Sequence, residues 1–200
     1  RHAHADTLSF ELSLFGQRII VNGGTSRYGH GPEREAERGT PAHSTVTVDG
    51  LNSSEVWAGF RVARRARPFD LSITRETGNL QISCAHDGYR RLAGQPVHRR
   101  IWLFQPGMLR VHDYVEGRFS LAIARFHLHP AVNLVLSKSG SSGYLRTPGG
   151  QTVQWRTTGG STRIERSFYS PEFGRRDPAQ SLAVEFAGAS GVCMELTWYK

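Results

Sequence analysis

The sequence predicts an all-β domain, a multi-stranded antiparallel β-sandwich, and three observations support this. Many short segments are rich in β-branched and aromatic residues and alternate between apolar and polar positions. Glycine-bearing turn signals separate most of these segments, and no long stretch keeps the 3.6-residue period of a helix. Short strands with regular turn signals are typical of stacked antiparallel sheets. Because the chain has 200 residues, we expect one domain over 1–200 with a single sizeable core.

The first element is the segment HAHADTLSFEL, from His2 to Leu12. In an extended strand, His2, His4 and Asp6 project from the same face, because strand side chains alternate between faces. From Leu8 onwards apolar residues alternate with polar ones, which predicts a core-facing strand directly after the polar group. We therefore expect a site at the mouth of a sheet.

A hairpin and a long loop come next. A turn at Phe15-Gly16 leads into a predicted strand over 18–21. The segment Asn22–Pro41 is rich in glycine and charge and has no apolar face, so we expect a loop with one helical turn around Glu33–Glu37. Loops of this length inside a compact domain are usually functional.

The rest of the chain is predicted to be strands. The segment STVTVDG, residues 44–50, alternates threonine and valine and ends on an Asp-Gly turn signal. Ser137–Ser142 is expected to be a flexible loop. The other predicted strands cover 56–62, 69–75, 80–86, 98–104, 109–115, 121–128, 132–136, 152–156, 162–169, 182–186 and 192–199.

The charge balance points to an acidic partner. The formal net charge is +8 with a pI near 10.2, and most of the excess is arginine in tight groups. Guanidinium groups match carboxylates, sulfates and phosphates. No helix-turn-helix, zinc-finger or RNA-recognition pattern accompanies the charge, so we expect an acidic polysaccharide and no nucleic acid. No apolar run is long enough to span a membrane, and no membrane partner is expected.

Cysteine usage and the start of the chain are less informative. Cys84 and Cys193 each stand in an apolar strand-like run, which favours buried thiols over a disulfide or a metal pair. The chain starts at Arg1 without a methionine or a signal peptide, so we expect it to be a fragment of a longer protein.

Two histidine-based sites are candidates. His4 and His43, which precedes the 44–50 strand, could hold a metal ion, since imidazole is the commonest zinc ligand; the alternative is a pair of surface histidines near a terminus. His2 could act as an acid/base with a tyrosine, because a sugar-acid substrate must lose the proton on the carbon beside its carboxylate. The chain offers Tyr28, Tyr89 and Tyr114, and each is expected to be a packing residue.

A third candidate is the segment AHDGYRRLAGQPVHRR, residues 85–100. It combines aromatic surface with guanidinium groups, as a sugar-acid subsite requires; the candidate substrate-binding residues are Arg90, Arg91, His98 and Arg99. The alternative is a solvated basic hairpin. A second His-x-His pair, His127 and His129, has an ordinary strand edge as its alternative.

These segments together resemble the heparinase II/III-like family of polysaccharide lyases. The matching segments, in order, are HAHADTLSFEL, VNGGTSRYG, ERGTPAHSTVTVDG and SSEVWAGFRVARRARP, with AHDGY and HRR extending the likeness to about Arg100. The family pattern is a His-x-His-x-Asp strand, a D-x-G-T turn and an Ala-His-Asn-Thr-like segment before a strand. The remaining residues match only as a continuation of a sandwich.

The resemblance implies that this is the C-terminal β-sandwich of a larger lyase whose upstream half is an α/α toroid. An acidic polysaccharide then lies between the halves, a toroid tyrosine is the main acid/base, and β-elimination leaves an unsaturated uronic acid. His2 corresponds to a histidine near the substrate carboxylate. Because such lyases are usually exported, the resemblance also implies a periplasmic or secreted protein.

The resemblance further implies a structural zinc ion. His4 and His43 match two zinc ligands, and Asn22 stands where the family has an aspartate as the third. A neutral amide is a poorer zinc partner than a carboxylate, so hydrogen bonds from Asn22 to either histidine could replace the metal. We therefore expect a lyase domain that supplies His2 and basic residues, inactive as an isolated fragment. The alternative is a non-catalytic carbohydrate-binding or exopolysaccharide-handling module.

Overall fold

Two antiparallel sheets, stacked on one core, form the domain, which confirms the predicted β-sandwich. The computed structural model describes residues 3–188 and 191–199. The first half of the chain contains β1 (Leu12–Leu14), β2 (Gln17–Val21), α1 (Pro32–Arg38), a 3₁₀ turn (Thr40–Ala42), β3 (Val46–Val48), β4 (Val56–Trp57), β5 (Arg61–Val62), β6 (Pro68–Glu76), β7 (Asn79–His86) and β8 (Val97–Gln105). The second half contains β9 (Met108–Glu116), β10 (Ala122–Leu128), β11 (Asn133–Leu136), β12 (Ser142–Arg146), β13 (Thr152–Thr158), β14 (Ser161–Tyr169), β15 (Asp177–Phe186) and β16 (Val192–Trp198).

The larger sheet has the strand order β11-β12-β13-β16-β9-β8-β7-β6. The smaller sheet has the order β1-β2-β10-β15-β14, and β3 pairs with β10 beside β2. A separate hairpin joins β4 to β5. In the described residues no helix is long and apolar enough to cross a membrane.

The core lies between the two sheets and is built from alternate residues of their strands. In β16 the buried residues Met194, Leu196 and Trp198 alternate with partly exposed ones, as period-two strands require. From the smaller sheet, Phe126 and Leu182 meet them in the same cluster. The alternation of apolar and polar residues in the sequence therefore identifies the strand faces that point into the core.

β10 departs from this alternation because both of its faces are covered. Phe126 points into the core, while Arg125 and His127 on the opposite face are also buried. The chain between β2 and β3, which carries α1, packs on that face, and Pro41 lies within hydrogen-bonding distance of His127. The long loop is thus a third layer over the smaller sheet.

One predicted hairpin and one predicted turn are confirmed in detail. β1 and β2 pair with Leu14 opposite Gln17, and the intervening Phe15 and Gly16 both have positive φ, 55° and 73°. This is the conformation of the two-residue turn that fits strand twist. The Asp-Gly signal after β3 behaves alike, with φ of 49° at Asp49 and 71° at Gly50.

The structure differs from the sequence-based elements in three places. Residues 3–11 belong to no strand, so the predicted strand begins only at Leu12. The predicted strand 56–62 is a short hairpin, because Ala58 and Gly59 lie in a turn between β4 and β5. The expected loop 137–142 ends in a strand that was not predicted, β12.

Candidate functional site

The His4 segment is held by an arginine instead of by a sheet. Arg38, which is fully buried at the end of α1, donates to the Ala3 carbonyl from Nε and Nη2 at 3.2 and 3.0 Å. The Ala5 amide donates back to the Arg38 carbonyl at 2.9 Å. These contacts place His4, and residues 3–11 belong to no strand, so the extended strand expected to carry His4 and Asp6 on one face does not form. His2 lies outside the described residues.

His4 and His43 come together although 39 positions separate them. The His4 Nδ1 atom lies 3.2 Å from His43 Nε2. Burial, followed by the neighbouring rings of His4 and His127, lowers the pKa of His43 to about 3. His43 is therefore neutral at physiological pH, and the pair shares one proton-bearing hydrogen bond.

A buried arginine completes the surroundings of His4. The Arg34 Nη1 atom is 3.3 Å from His4 Nε2 and 3.2 Å from Thr25 Oγ1. Arg34 has no exposed surface, and its charge is balanced by Glu37, 3.7 Å away on the next turn of α1. Because a guanidinium can only donate, His4 Nε2 is an acceptor in this arrangement, and its Nδ1 proton points to His43.

Asn22 stabilises the same region through the backbone. Its Oδ1 atom accepts a hydrogen bond from the Ser44 amide at 2.9 Å, so the bond expected towards His4 or His43 is made to the main chain instead. The Ser44 hydroxyl in turn donates to the Val21 carbonyl at 2.8 Å and accepts from the His127 amide at 3.0 Å. Ser44 thus fills the gap between β2 and β3 along β10.

These residues fit a zinc ion only in part. Two imidazole nitrogens 3.2 Å apart could share one metal. However, the described ranges 3–188 and 191–199 contain no group of three His, Cys, Asp or Glu side chains that could hold one. The amide at the third position already serves Ser44, and a guanidinium faces His4. The described residues therefore do not make up a complete zinc site.

His98 is a core residue and not a surface ligand. It is fully buried, and its Nε2 atom lies 2.7 Å from Asp113 Oδ1. Its Nδ1 atom lies 3.1 Å from His86 Nε2. Burial is the largest cause that lowers the pKa of His98. This corrects its assignment to a substrate subsite, because the β8 strand alternates and His98 takes an inward position.

The same buried group fixes the two histidine segments. Arg100, also fully buried, binds Asp113 through two bonds of 2.7 and 2.9 Å. Its Nη1 atom donates to the carbonyls of Leu8 and Ser44 at 2.9 and 2.6 Å. Arg100 therefore joins the segment that follows His4 to the segment that follows His43.

The three predicted arginines of the 85–100 segment do not converge on one site. Arg91 is turned inward and donates to the carbonyls of Asn52, Ser53 and Gly88. Arg99 pairs with Asp70 at 2.9 Å and Glu116 at 3.8 Å on the outer face. Arg90 is exposed and lies over the Phe69 ring.

A groove of about 480 Å³ opens beside His4. Its lining includes His4, Asp6 and Thr7 on one side and Arg65 on the other. Arg65 belongs to the basic segment, residues 61–67, in which every arginine is exposed. Arg64 pairs with Glu55, whereas Arg65 has no carboxylate partner among the described residues. The groove therefore places the Arg65 guanidinium, which has no carboxylate partner among the described residues, beside the His4 imidazole.

Sequence reasoning missed the buried residues that build this site. Arg34 and Arg38 lie in the segment that was predicted as a loop because it is rich in glycine and charge. Both arginines are nevertheless fully buried. The only sequence signal was that loop's unusual length. The sequence shows that Arg65 belongs to a tight group of arginines but not that it lines a groove.

Comparisons with known proteins agree with this architecture. The sequence profile described as Heparinase II/III-like, C-terminal, matches residues 1–198. The heparan sulfate lyase HepC from Pedobacter heparinus aligns with a TM-score of 0.81 at 19% identity, over 100% of this chain and 31% of that protein. A heparinase III gene product aligns with a TM-score of 0.79 at 16% identity, over 99% and 31% respectively. The chain thus spans about a third of these proteins. No curated protein matches the sequence significantly.

Proposed function

We propose, because the chain belongs to the heparinase II/III-like C-terminal family, that it is the β-sandwich domain of a polysaccharide lyase acting on an acidic, uronate-containing polysaccharide. Two solved structures that share its fold are a heparan sulfate lyase and a heparinase III. Since the chain covers 31% of each, the proposal includes an upstream toroid on the same polypeptide that completes the active site.

The observation that carries the proposal is the groove beside His4. Its open side is bordered by the basic segment, and the exposed Arg65 has no carboxylate partner in the described residues. Guanidinium groups pair well with carboxylates and sulfates. Arg34, Arg38 and Arg100 hold the groove's polar wall through buried hydrogen bonds. A hydrogen-bonded polar wall beside exposed arginines suits a polymer that must be held in one register.

In this proposal, the residues of the chain position the uronate for β-elimination. The reaction removes the proton on the carbon beside the carboxylate and breaks the adjacent glycosidic C–O bond, and a C=C bond forms. His2, two residues before the groove residue His4, is proposed to contact the carboxylate, and a toroid tyrosine is proposed to move the protons. A positioned acid/base typically contributes about 10²–10⁴-fold to the rate.

The test is a lyase assay on the polypeptide that carries this chain behind its upstream region. We expect an absorbance increase from unsaturated uronate on at least one member of a panel of acidic polysaccharides. His2→Ala should lower kcat/KM by about 10–100-fold, because it removes one hydrogen bond to the charged carboxylate. His112→Ala is the matched control, because His112 lies on the outward face of β9. If no polysaccharide of the panel gives an absorbance increase but the protein still binds anionic polysaccharides, the non-catalytic binding module is favoured.

A further inference from the structure

A second cavity lies on the outer face of the smaller sheet, under the layer formed by α1 and the 3₁₀ turn. Its volume is about 240 Å³, and it shares no lining residue with the groove beside His4. Its floor is formed by β10, β14 and β15, since His127, Ser167 and Ser181 all line it. The catalytic proposal above uses none of these residues.

Three buried polar atoms in this cavity lack a hydrogen-bond partner among the described residues. They are His127 Nδ1, Ser167 Oγ and Ser181 Oγ. His127 and Ser181 are directly opposite each other on β10 and β15, and they are only 4% and 1% exposed. Leaving a buried polar atom unpaired costs about 1–3 kcal/mol, so such a row of atoms points to a polar ligand.

The protonation of His127 defines what this ligand must offer. The His127 Nε2 atom lies 2.9 Å from the Pro41 carbonyl, so it carries the ring proton. Nδ1 is therefore an acceptor that needs a donor such as a hydroxyl. Burial lowers the pKa of His127 to about 4, which keeps the ring neutral.

The charged residues around the cavity add a second requirement. Both carboxylates that line it are already paired, Glu165 with Arg125 at 2.7 Å and Glu37 with Arg34. Arg166 and Arg176 also line it, and neither has a carboxylate partner in the described part of the chain. The Arg176 guanidinium lies 3.7 Å above the centre of the Phe168 ring. The cavity lining therefore carries an excess of positive charge.

We propose that this cavity binds one anionic sugar residue, at a site separate from the catalytic groove. Sugar hydroxyls bind His127 Nδ1 and the Ser181 and Ser167 hydroxyls, while the carboxylate or sulfate binds Arg176. The apolar face of the sugar ring packs against Pro41 and Ala42. At about 240 Å³ the cavity exceeds one water, about 30 Å³, and is smaller than drug-sized sites of about 300–1,000 Å³, which fits a single monosaccharide.

The site is tested by titrating the 200-residue chain, labelled with ¹⁵N-histidine, with sodium glucuronate, glucose 6-sulfate and glucose. We expect the His127 Nδ1 resonance to shift with saturation for at least one anion, and more weakly for glucose. The two anions distinguish a carboxylate from a sulfate requirement. Calorimetry on the same samples gives the affinities.

Two variants separate binding from folding. Ser181→Ala removes a hydroxyl that has no partner among the described residues, so the variant should fold normally and bind the anion about tenfold more weakly. Arg176→Gln should weaken anion binding but not glucose binding, whereas Arg75→Gln, on exposed β6, should change neither. An unmoved His127 resonance, or equal affinity in Ser181→Ala, overturns the proposal and shows that water alone fills the cavity. Neither result bears on the lyase assay, which uses the groove.

Discussion

Asp113→Asn is the sharpest test of how the histidine segments are held. Asp113 accepts two bonds from Arg100 and one from His98, and all three residues are fully buried. In the variant, one amide nitrogen faces the Arg100 donors, so a bond is lost and the buried guanidinium has no countercharge. We expect the variant to be less stable and the Leu8 and Ser44 segments to loosen with it.

Two independent arguments give the magnitude. Removing one partner of a buried ion pair costs about 3–5 kcal/mol. Burial raises the pKa of Asp113, but Arg100 and the hydrogen bond from His98 outweigh this effect. Together they hold the pKa of Asp113 at about 2, against 3.8 for a free side chain. That difference corresponds to about 2–3 kcal/mol of stability. We therefore expect Asp113→Asn to lower the free energy of unfolding by about 2–5 kcal/mol.

The assay is urea unfolding of both proteins across a range of pH. Because the folded-state pKa of Asp113 is depressed, its contribution is fully present above about pH 4 and is lost as the pH falls towards 2. The wild-type protein should therefore lose stability in that window more steeply than Asp113→Asn.

Asp70→Asn is the matched control, since Asp70 pairs with Arg99 at an exposed position. Exposed pairs contribute about 0–1 kcal/mol. A loss below about 1 kcal/mol in Asp113→Asn, or parallel pH profiles for Asp113→Asn and wild type below pH 4, would refute the reasoning.

Three further predictions concern the site. Protein purified without chelator should contain no stoichiometric zinc by elemental analysis, and Asn22→Asp should raise zinc affinity, because a carboxylate can serve Ser44 and a metal together; zinc in the wild type would contradict this. Arg38→Lys should cost about 2 kcal/mol or more in thermal unfolding, since lysine cannot reach its several carbonyl partners. Arg65→Gln should raise KM for an acidic polysaccharide about tenfold with kcat unchanged, while Arg75→Gln should leave both unchanged.

The strands were predictable from the sequence because each one is a local pattern. β9 and β16 alternate buried and partly exposed residues along their whole length, and this alternation is visible without the structure. The turns at Phe15-Gly16 and Asp49-Gly50 are equally local. β12 was missed because the serine-rich segment from Ser137 to its first residue is typical of a loop. In the structure, β13 pairs with the whole length of β12.

The candidate site was only partly predictable because its contacts join distant parts of the chain. The His4–His43 pair was anticipated, and the two rings do meet. No local pattern distinguishes a buried arginine such as Arg34 or Arg38 from a solvated one, since burial depends on which carbonyls the fold brings near. His98 shows the converse error, where a basic run was read as surface although alternate positions of β8 face inward.

The arginine excess therefore has two separate physical roles. Arg34, Arg38 and Arg100 are buried and donate to backbone carbonyls, His4 and Asp113, so they stabilise the groove wall. Arg65 and Arg176 remain exposed, line the groove and the second cavity, and lack carboxylate partners in the described residues, so both are available to an acidic ligand there. Substituting the first group should lower stability, and substituting the second should lower ligand affinity at constant stability. The number of arginines does not separate the two effects. The salt dependence of each effect does, because salt screens exposed charges strongly and buried charges much less.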